Sequence, residues 1–406
     1  MKILSTIFKP ALFVFFLVIC SEVFSQEDKF VITGERLTLR SDVLGEDRRL
    51  WIHDPSNGSE NAKLPVIYLL DGDFHFSSVS ALADYMASNG LSPSMIVVGI
   101  ENTNRTRDLT PTEADPDHPY SKDGRFETSG GGAEFMKFLE TELFPFIEDS
   151  YPTAPYRMFI GHSFGGLTAM DALHHYSHLF NSFVSIDPSL WWSNQSLLNQ
   201  IRDENRKDLY KGKSMYLGIA NTISPGTTFQ SAIADTSLRS EHMRAIIEID
   251  EFLKSHPENG LKFGSKYYSD DDHGTVPLIT EYDAFRFIFD FYRFDRSEFD
   301  DSSLDKYLAH IRLVSKNLGY HVTPDEYMIN GMAYQYMEQE NYELARKALE
   351  LNINNYPSSG NVYDSMGDYY VAVGNKDEAI KSFQQALEIE DAPHSREKME
   401  SLKAEK

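Results

Sequence analysis

The 406-residue chain predicts an α/β fold, a mostly parallel sheet with helices on both faces, followed by a small all-α module. Three observations predict it. From about residue 30 to 295, short apolar runs alternate with longer amphipathic stretches, the pattern of strand–helix units that build a parallel sheet. Beyond about residue 300 only helical periodicity remains. That helical stretch also repeats itself at a spacing of 34 residues.

Taken in order, residues 1–25 read as an export signal. Lys2 and Lys9 make a positive start, residues 11–20 are an unbroken apolar run of ten, and Val23 and Ser25 stand at −3 and −1 of a cleavage point. The apolar run is too short for a membrane-spanning helix, which needs about 20 residues. Cleavage there removes Cys20, the single cysteine, so the mature chain is expected to lack disulfides, a thiol nucleophile and cysteine-ligated metal. The expected location is periplasmic or extracellular. With 38 Lys and Arg against 62 Asp and Glu, the formal charge is −24. That balance argues against nucleic acid as a partner, because phosphates are bound through Lys and Arg, and against docking on an anionic membrane.

Residues 26–296 form the expected α/β domain. Residues 36–40 and 48–53 have no helix between them and predict an antiparallel edge. Further strands are expected at 64–70, 95–100, 156–160, 183–186, 215–219 and 262–268. Helices are expected at about 76–89, 132–149, 165–177, 194–206, 240–255 and 280–292. Residues 102–132 carry Pro111, Pro116, Pro119 and three consecutive glycines, and read as a long loop.

In the expected helical module, residues 300–406, Ile329, Met332, Ala333, Tyr336, Asn341, Ala345 and Leu349 recur as Tyr363, Met366, Gly367, Tyr370, Asn375, Ala379 and Phe383. Small residues at helix crossings with an aromatic three positions on resemble the tetratricopeptide repeat. Two repeats are expected, at about 326–359 and 360–393. The helix over 304–318 is expected to cap them, and the tail after Pro393 to close them. Such a module is a surface for a protein partner or for self-association.

The chemistry points to Gly161-His162-Ser163-Phe164-Gly165, a G-x-S-x-G run between an apolar strand and a helix. A serine on that sharp turn projects its hydroxyl above the sheet. It needs a base, and the base needs an orienting carboxylate. His273, after the last expected strand, lies on the carboxyl side of the sheet, where open α/β folds place their sites; His242 is its rival. The acid is expected between the strand at 215–219 and the helix near Ser240, which leaves Asp235, preferred as a loop residue, and Glu241. The expected oxyanion donors are the backbone N–H groups of Phe164 and Asp73. Arg105 and Arg107 are candidates for holding an anionic substrate, set against salt bridging within the loop. Trp191 is a candidate for lining the pocket. No phosphate cradle or H-E-x-x-H pair occurs, so neither a cofactor nor a metal is expected.

Leu69-Leu70-Asp71-Gly72, Gly161-His162-Ser163-Phe164-Gly165-Gly166, Ser185-Ile186-Asp187-Pro188-Ser189-Leu190-Trp191-Trp192 and Asp272-His273-Gly274 together resemble the putative-esterase family of α/β-hydrolases, its siderophore-esterase branch above all. The resemblance covers about residues 30–295. It implies an α/β-hydrolase sandwich and hydrolysis of a small-molecule ester through Ser163 and His273, with oxyanion donors at Asp73 and Phe164. Acyl transfer with the same residues is an alternative, as is a repeat-mediated binding protein with a vestigial hydrolase domain.

Overall fold

The computed structural model describes residues 33–56, 63–223 and 227–404; the expected export signal lies outside them. Eight strands form one sheet: β1 (Glu35–Ser41), β2 (Glu46–His53), β3 (Leu64–Leu69), β4 (Ile96–Ile100), β5 (Thr153–His162), β6 (Ser182–Ile186), β7 (Ser214–Ala220) and β8 (Lys262–Tyr268). Their spatial order is β1-β2-β4-β3-β5-β6-β7-β8. β1 pairs antiparallel with β2, and β2 with β4; all other pairs are parallel. β4 and β6 are buried at every residue, as strands covered on both faces must be; β4 accordingly reads as a continuous apolar run, while β6 carries the small Ser182 and Ser185.

Between and after the strands lie α1 (Gly72–Ser88), α2 (Arg105–Asp108), α3 (Gly132–Phe138), α4 (Phe144–Ser150), α5 (Phe164–His175), α6 (Trp192–Asp203), α7 (Phe229–Ala234), α8 (Glu241–Ser255) and α9 (Val276–Ile288). One core packs α3, α5, α6 and α8 on one sheet face, through Phe135, Met170, Leu198 and Ile246. The other packs α1 and α9 on the opposite face, through Phe76, Val79, Phe285 and Ile288. The expected helix over 132–149 is two helices joined by a π turn, Leu139–Leu143. The expected loop over 102–132 carries α2 and a 3₁₀ turn, Pro119–Ser121.

α1 begins four residues before its expected start. Asp71 takes a left-handed conformation, φ 52°, so the helix starts at Gly72 directly off β3. A Cβ at Gly72 would lie 2.5 Å from the Gly99 carbonyl carbon on β4, so only glycine lets this helix end press against the sheet. The early start puts Asp73 in the first turn, where backbone N–H groups have no intrahelical acceptor.

The helices of the C-terminal part are α10 (Ser303–Leu318), α11 (Glu326–Glu338), α12 (Tyr342–Asn355), α13 (Gly360–Ala372), α14 (Lys376–Ile389) and α15 (Pro393–Ala404). The repeated asparagines start the second helix of each pair. Asn341 caps α12 and Asn375 caps α14, each accepting from the backbone N–H three residues on. A Cβ at Gly367 would stand 2.4 Å from the Phe383 ring, so the small residue sets how closely α13 and α14 approach. α10 belongs to both parts. Its Leu304 and Tyr307 pack with Ile329 and Tyr336 of α11, while Val314 and Leu318 join the hydrophobic cluster of α1 and α9.

Candidate active site

Three adjoining structural features meet at the carboxyl end of the sheet. β5 ends at His162 and α5 begins at Phe164, so Ser163 alone makes the turn, at φ 62° and ψ −115°. The turn is tight enough that a Cβ at Gly161 would lie 2.2 Å from the Gly165 carbonyl oxygen. The Ser163 N–H donates to the Ile186 carbonyl at 2.9 Å and its carbonyl accepts from Ser189 N–H at 3.1 Å, which ties the turn to the end of β6. Its Oγ lies 3.4 Å from the Ser189 hydroxyl. Strain of this kind is held only where neighbours over-determine it.

β6 then delivers Asp187, with φ 41° and no exposed surface. Its Oδ1 accepts from the Ala220 N–H at 3.0 Å. Its Oδ2 accepts from His273 Nδ1 at 2.6 Å and from His242 Nε2 at 2.9 Å. Burial alone would raise this carboxyl, but the two histidines outweigh it and hold Asp187 far below the usual carboxylate range. His273 follows β8, and its side chain is 44% exposed. Since Nδ1 is committed to Asp187, Nε2 is the nitrogen left for a proton acceptor's role. Asp187, His242 and His273 also form a group whose metal-ligating atoms lie within 4.8 Å of one another; the two hydrogen bonds account for that convergence.

Asp235, the acid preferred from the sequence, is elsewhere. Its carboxylate accepts from the Ser237 N–H and hydroxyl at 2.9 and 2.7 Å and from the Ser240 hydroxyl at 2.8 Å. Chiefly the Ser237 hydroxyl draws the carboxyl down to about 2. The reason is local: Asp235 ends α7 and closes the turn into α8. Glu241, the alternative, lies 3.2 Å from His118 Nε2. The carboxylate that meets His273 follows β6, one strand earlier than the sequence reading places it. Its sequence signal is an acid that ends an apolar run immediately before Pro188.

The N-termini of α5 and α1 bring the backbone N–H groups of Phe164 and Asp73 to the helix ends beside this turn, where anions are favoured. Arg105 joins the two ends. Its Nε and Nη2 hold the Asp71 carboxylate at 2.7 and 2.9 Å, and Nη2 donates to the His162 carbonyl at 3.1 Å. Burial would raise the Asp71 carboxyl, but Arg105, with Asn102, keeps it below its ordinary value. Arg107 donates to Asp108 at 2.7 Å and to Glu46 at 2.6 and 3.0 Å. Both arginines, read from the sequence as candidates for an anionic substrate, are thus engaged with carboxylates of the chain itself.

Trp191 stacks on His118 at 5.4 Å and meets Tyr120 edge-on at 5.3 Å, so the segment after β4 packs an aromatic wall beside the Ser163 turn. Phe164 faces Phe126 and Trp192 in the same wall. Behind the site, His162 packs 4.5 Å from His273 and 5.8 Å from His75. Burial first, then the neighbouring histidines, push His162 down to about 4. His75 lies 4.0 Å from Glu281, whose carboxyl is 1% exposed. Burial pushes Glu281 up to about 8.

Residues 41–244 match the family model described as Putative esterase, and residues 360–393 a tetratricopeptide-repeat model. The first match includes Ser163, Asp187 and His242 and stops short of His273. The ferri-bacillibactin esterase BesA of Bacillus subtilis is 32% identical over 185 residues, 42% of this chain and 64% of that protein. The siderophore enterobactin esterase of Emericella nidulans is 31% identical over 163 residues, 37% of this chain and 52% of that protein. The chain thus spans between half and two-thirds of these curated relatives. An IroE-like serine hydrolase from Shewanella oneidensis superposes with a TM-score of 0.63 at 29% identity, over 79% of this chain and 99% of that one. An uncharacterised protein from Capnocytophaga ochracea shares the fold over 91% of this chain and 99% of its own, with a TM-score of 0.57 at 18% identity.

Proposed function

Because the chain belongs to the putative-esterase family, we propose that it hydrolyses carboxylic esters through an acyl-enzyme formed on Ser163. The observation that carries this reading is the 2.6 Å contact of His273 Nδ1 with Asp187. It fixes the tautomer whose Nε2 can accept the Ser163 proton. Ser163 Oγ attacks the ester carbonyl as His273 takes its proton. The N–H groups of Phe164 and Asp73 receive the developing oxyanion. His273 then gives the proton to the leaving alcohol, and water repeats the sequence to release the acid. Asp187 stabilises the imidazolium and stays ionised throughout.

The names of the relatives point to siderophore-type esters as the substrate class. The proposed location is outside the cytoplasm, on the pattern of residues 1–25. Among the described residues no helix is long and apolar enough to cross a membrane. The repeats are proposed to serve a protein partner. A chromogenic short-chain ester tests the reading. The wild-type protein should hydrolyse it, and Ser163→Ala should lose about 10³-fold or more in kcat while keeping its fold. A folded Ser163→Ala protein with full activity overturns it.

A further inference from the structure

One carboxylate oxygen serves two histidines. His273 Nδ1 and His242 Nε2 both reach Asp187 Oδ2, at 2.6 and 2.9 Å. The proposed reaction uses only the first. His242 stands in the first turn of α8, far in sequence from Asp187, with 22% of its side chain exposed. It is therefore neither core filling nor a free surface group. Asp187 is fully buried, so its position depends on the donors that reach it: Ala220 N–H on one oxygen and the two imidazoles on the other.

We propose that His242 is a positioning residue that holds the Asp187 carboxylate under His273. This rests on the reading of His273 as the base. The two imidazoles meet edge to face, 5.6 Å apart, and share the one oxygen. With two donors on Oδ2 and one on Oδ1, the carboxylate cannot turn away from His273 Nδ1 without giving up its bond to the first turn of α8.

His242→Gln keeps an N–H donor; His242→Leu removes it. His242→Leu should lower kcat for a chromogenic ester about tenfold or more with KM little changed, and His242→Gln should recover most of that loss. A purely structural role would lower thermal stability and leave kcat of the folded protein near wild type. Wild-type kcat in a folded His242→Leu protein overturns the proposal. The proton NMR resonance of His273 Nδ1–H, recorded in Ser163→Ala with and without His242→Leu, gives the same answer without turnover. It should shift or broaden when the donor is removed; if it is identical in both proteins, the positioning is absent whether or not Ser163 is the nucleophile.

Discussion

Arg105 holds Asp71 through two parallel N–H donors, at 2.7 and 2.9 Å, and reaches past it to the His162 carbonyl. One guanidinium thereby locks the turn before α1 to the turn that carries Ser163. The backbone N–H groups of Asp73 and Phe164 lie two residues beyond those two anchors. In the proposed reaction they receive the developing oxyanion, and misplacement of such donors costs rate more than binding.

Arg105→Met should therefore lower kcat by about 10- to 100-fold with a smaller change in KM. It also leaves the buried Asp71 carboxylate without a counter-charge, with Asn102 still donating to it, which should cost roughly 2–3 kcal/mol in denaturant unfolding, below the full buried-pair value because the arginine is partly exposed. Arg105→Lys should recover little, since an ammonium cannot hold a carboxylate with a planar fork. A variant with wild-type kcat would separate this ion pair from the reaction.

Asp187 and Asp235 make opposite predictions. Asp187→Asn should lower kcat by about 10³- to 10⁴-fold, because an amide no longer dictates the His273 tautomer. Asp235→Asn should leave kcat near wild type, since that carboxylate closes a turn through Ser237 and Ser240. Steady-state kinetics on the two folded variants checks the ranking, and the reverse order would return the acid to Asp235.

Glu281 gives stability a pH dependence. Its carboxyl is raised from an ordinary 4.5 to about 8 by burial, so the folded state holds a proton there that the unfolded chain releases. Its contribution is present below pH 4.5 and is lost as pH rises through about 8. Glu281→Gln removes that loss. The variant should match wild type near pH 4 and gain on it by about 1.4 kcal/mol per pH unit at most as pH climbs through the window. Urea melts at several pH values read this directly, and a Gln variant less stable than wild type at pH 8 would contradict it.

Sequence made some of this architecture legible and hid the rest for identifiable reasons. The sheet was readable because strands buried on both faces are near-continuous apolar runs, as at β4. The sharp turn at Ser163 was readable because it is local: the glycine whose Cβ would strike Gly165 O lies two residues before it. His273 followed from its place after the last strand. Asp187 was not readable in the same way. Its partners are 55 and 86 residues away, and only the order β5-β6-β7-β8 brings β6 between the serine and the histidine. Asp235 carried a local signal that pointed elsewhere, a serine two residues on that closes a turn on its carboxylate. The double role of α10, half in the repeats and half in the sheet's core, is likewise a property of packing.

The central claim is that Ser163 forms the covalent intermediate, with His273 as its base. Labelling the protein with an aryl fluorophosphonate and locating the adduct by peptide mass spectrometry tests it most directly, because the reagent captures only an activated serine. The account predicts one stoichiometric adduct on the peptide that carries Ser163, greatly slowed in both Asp187→Asn and His273→Gln. Ester turnover that persists with Ser163 unlabelled, or an adduct on another serine, would contradict it.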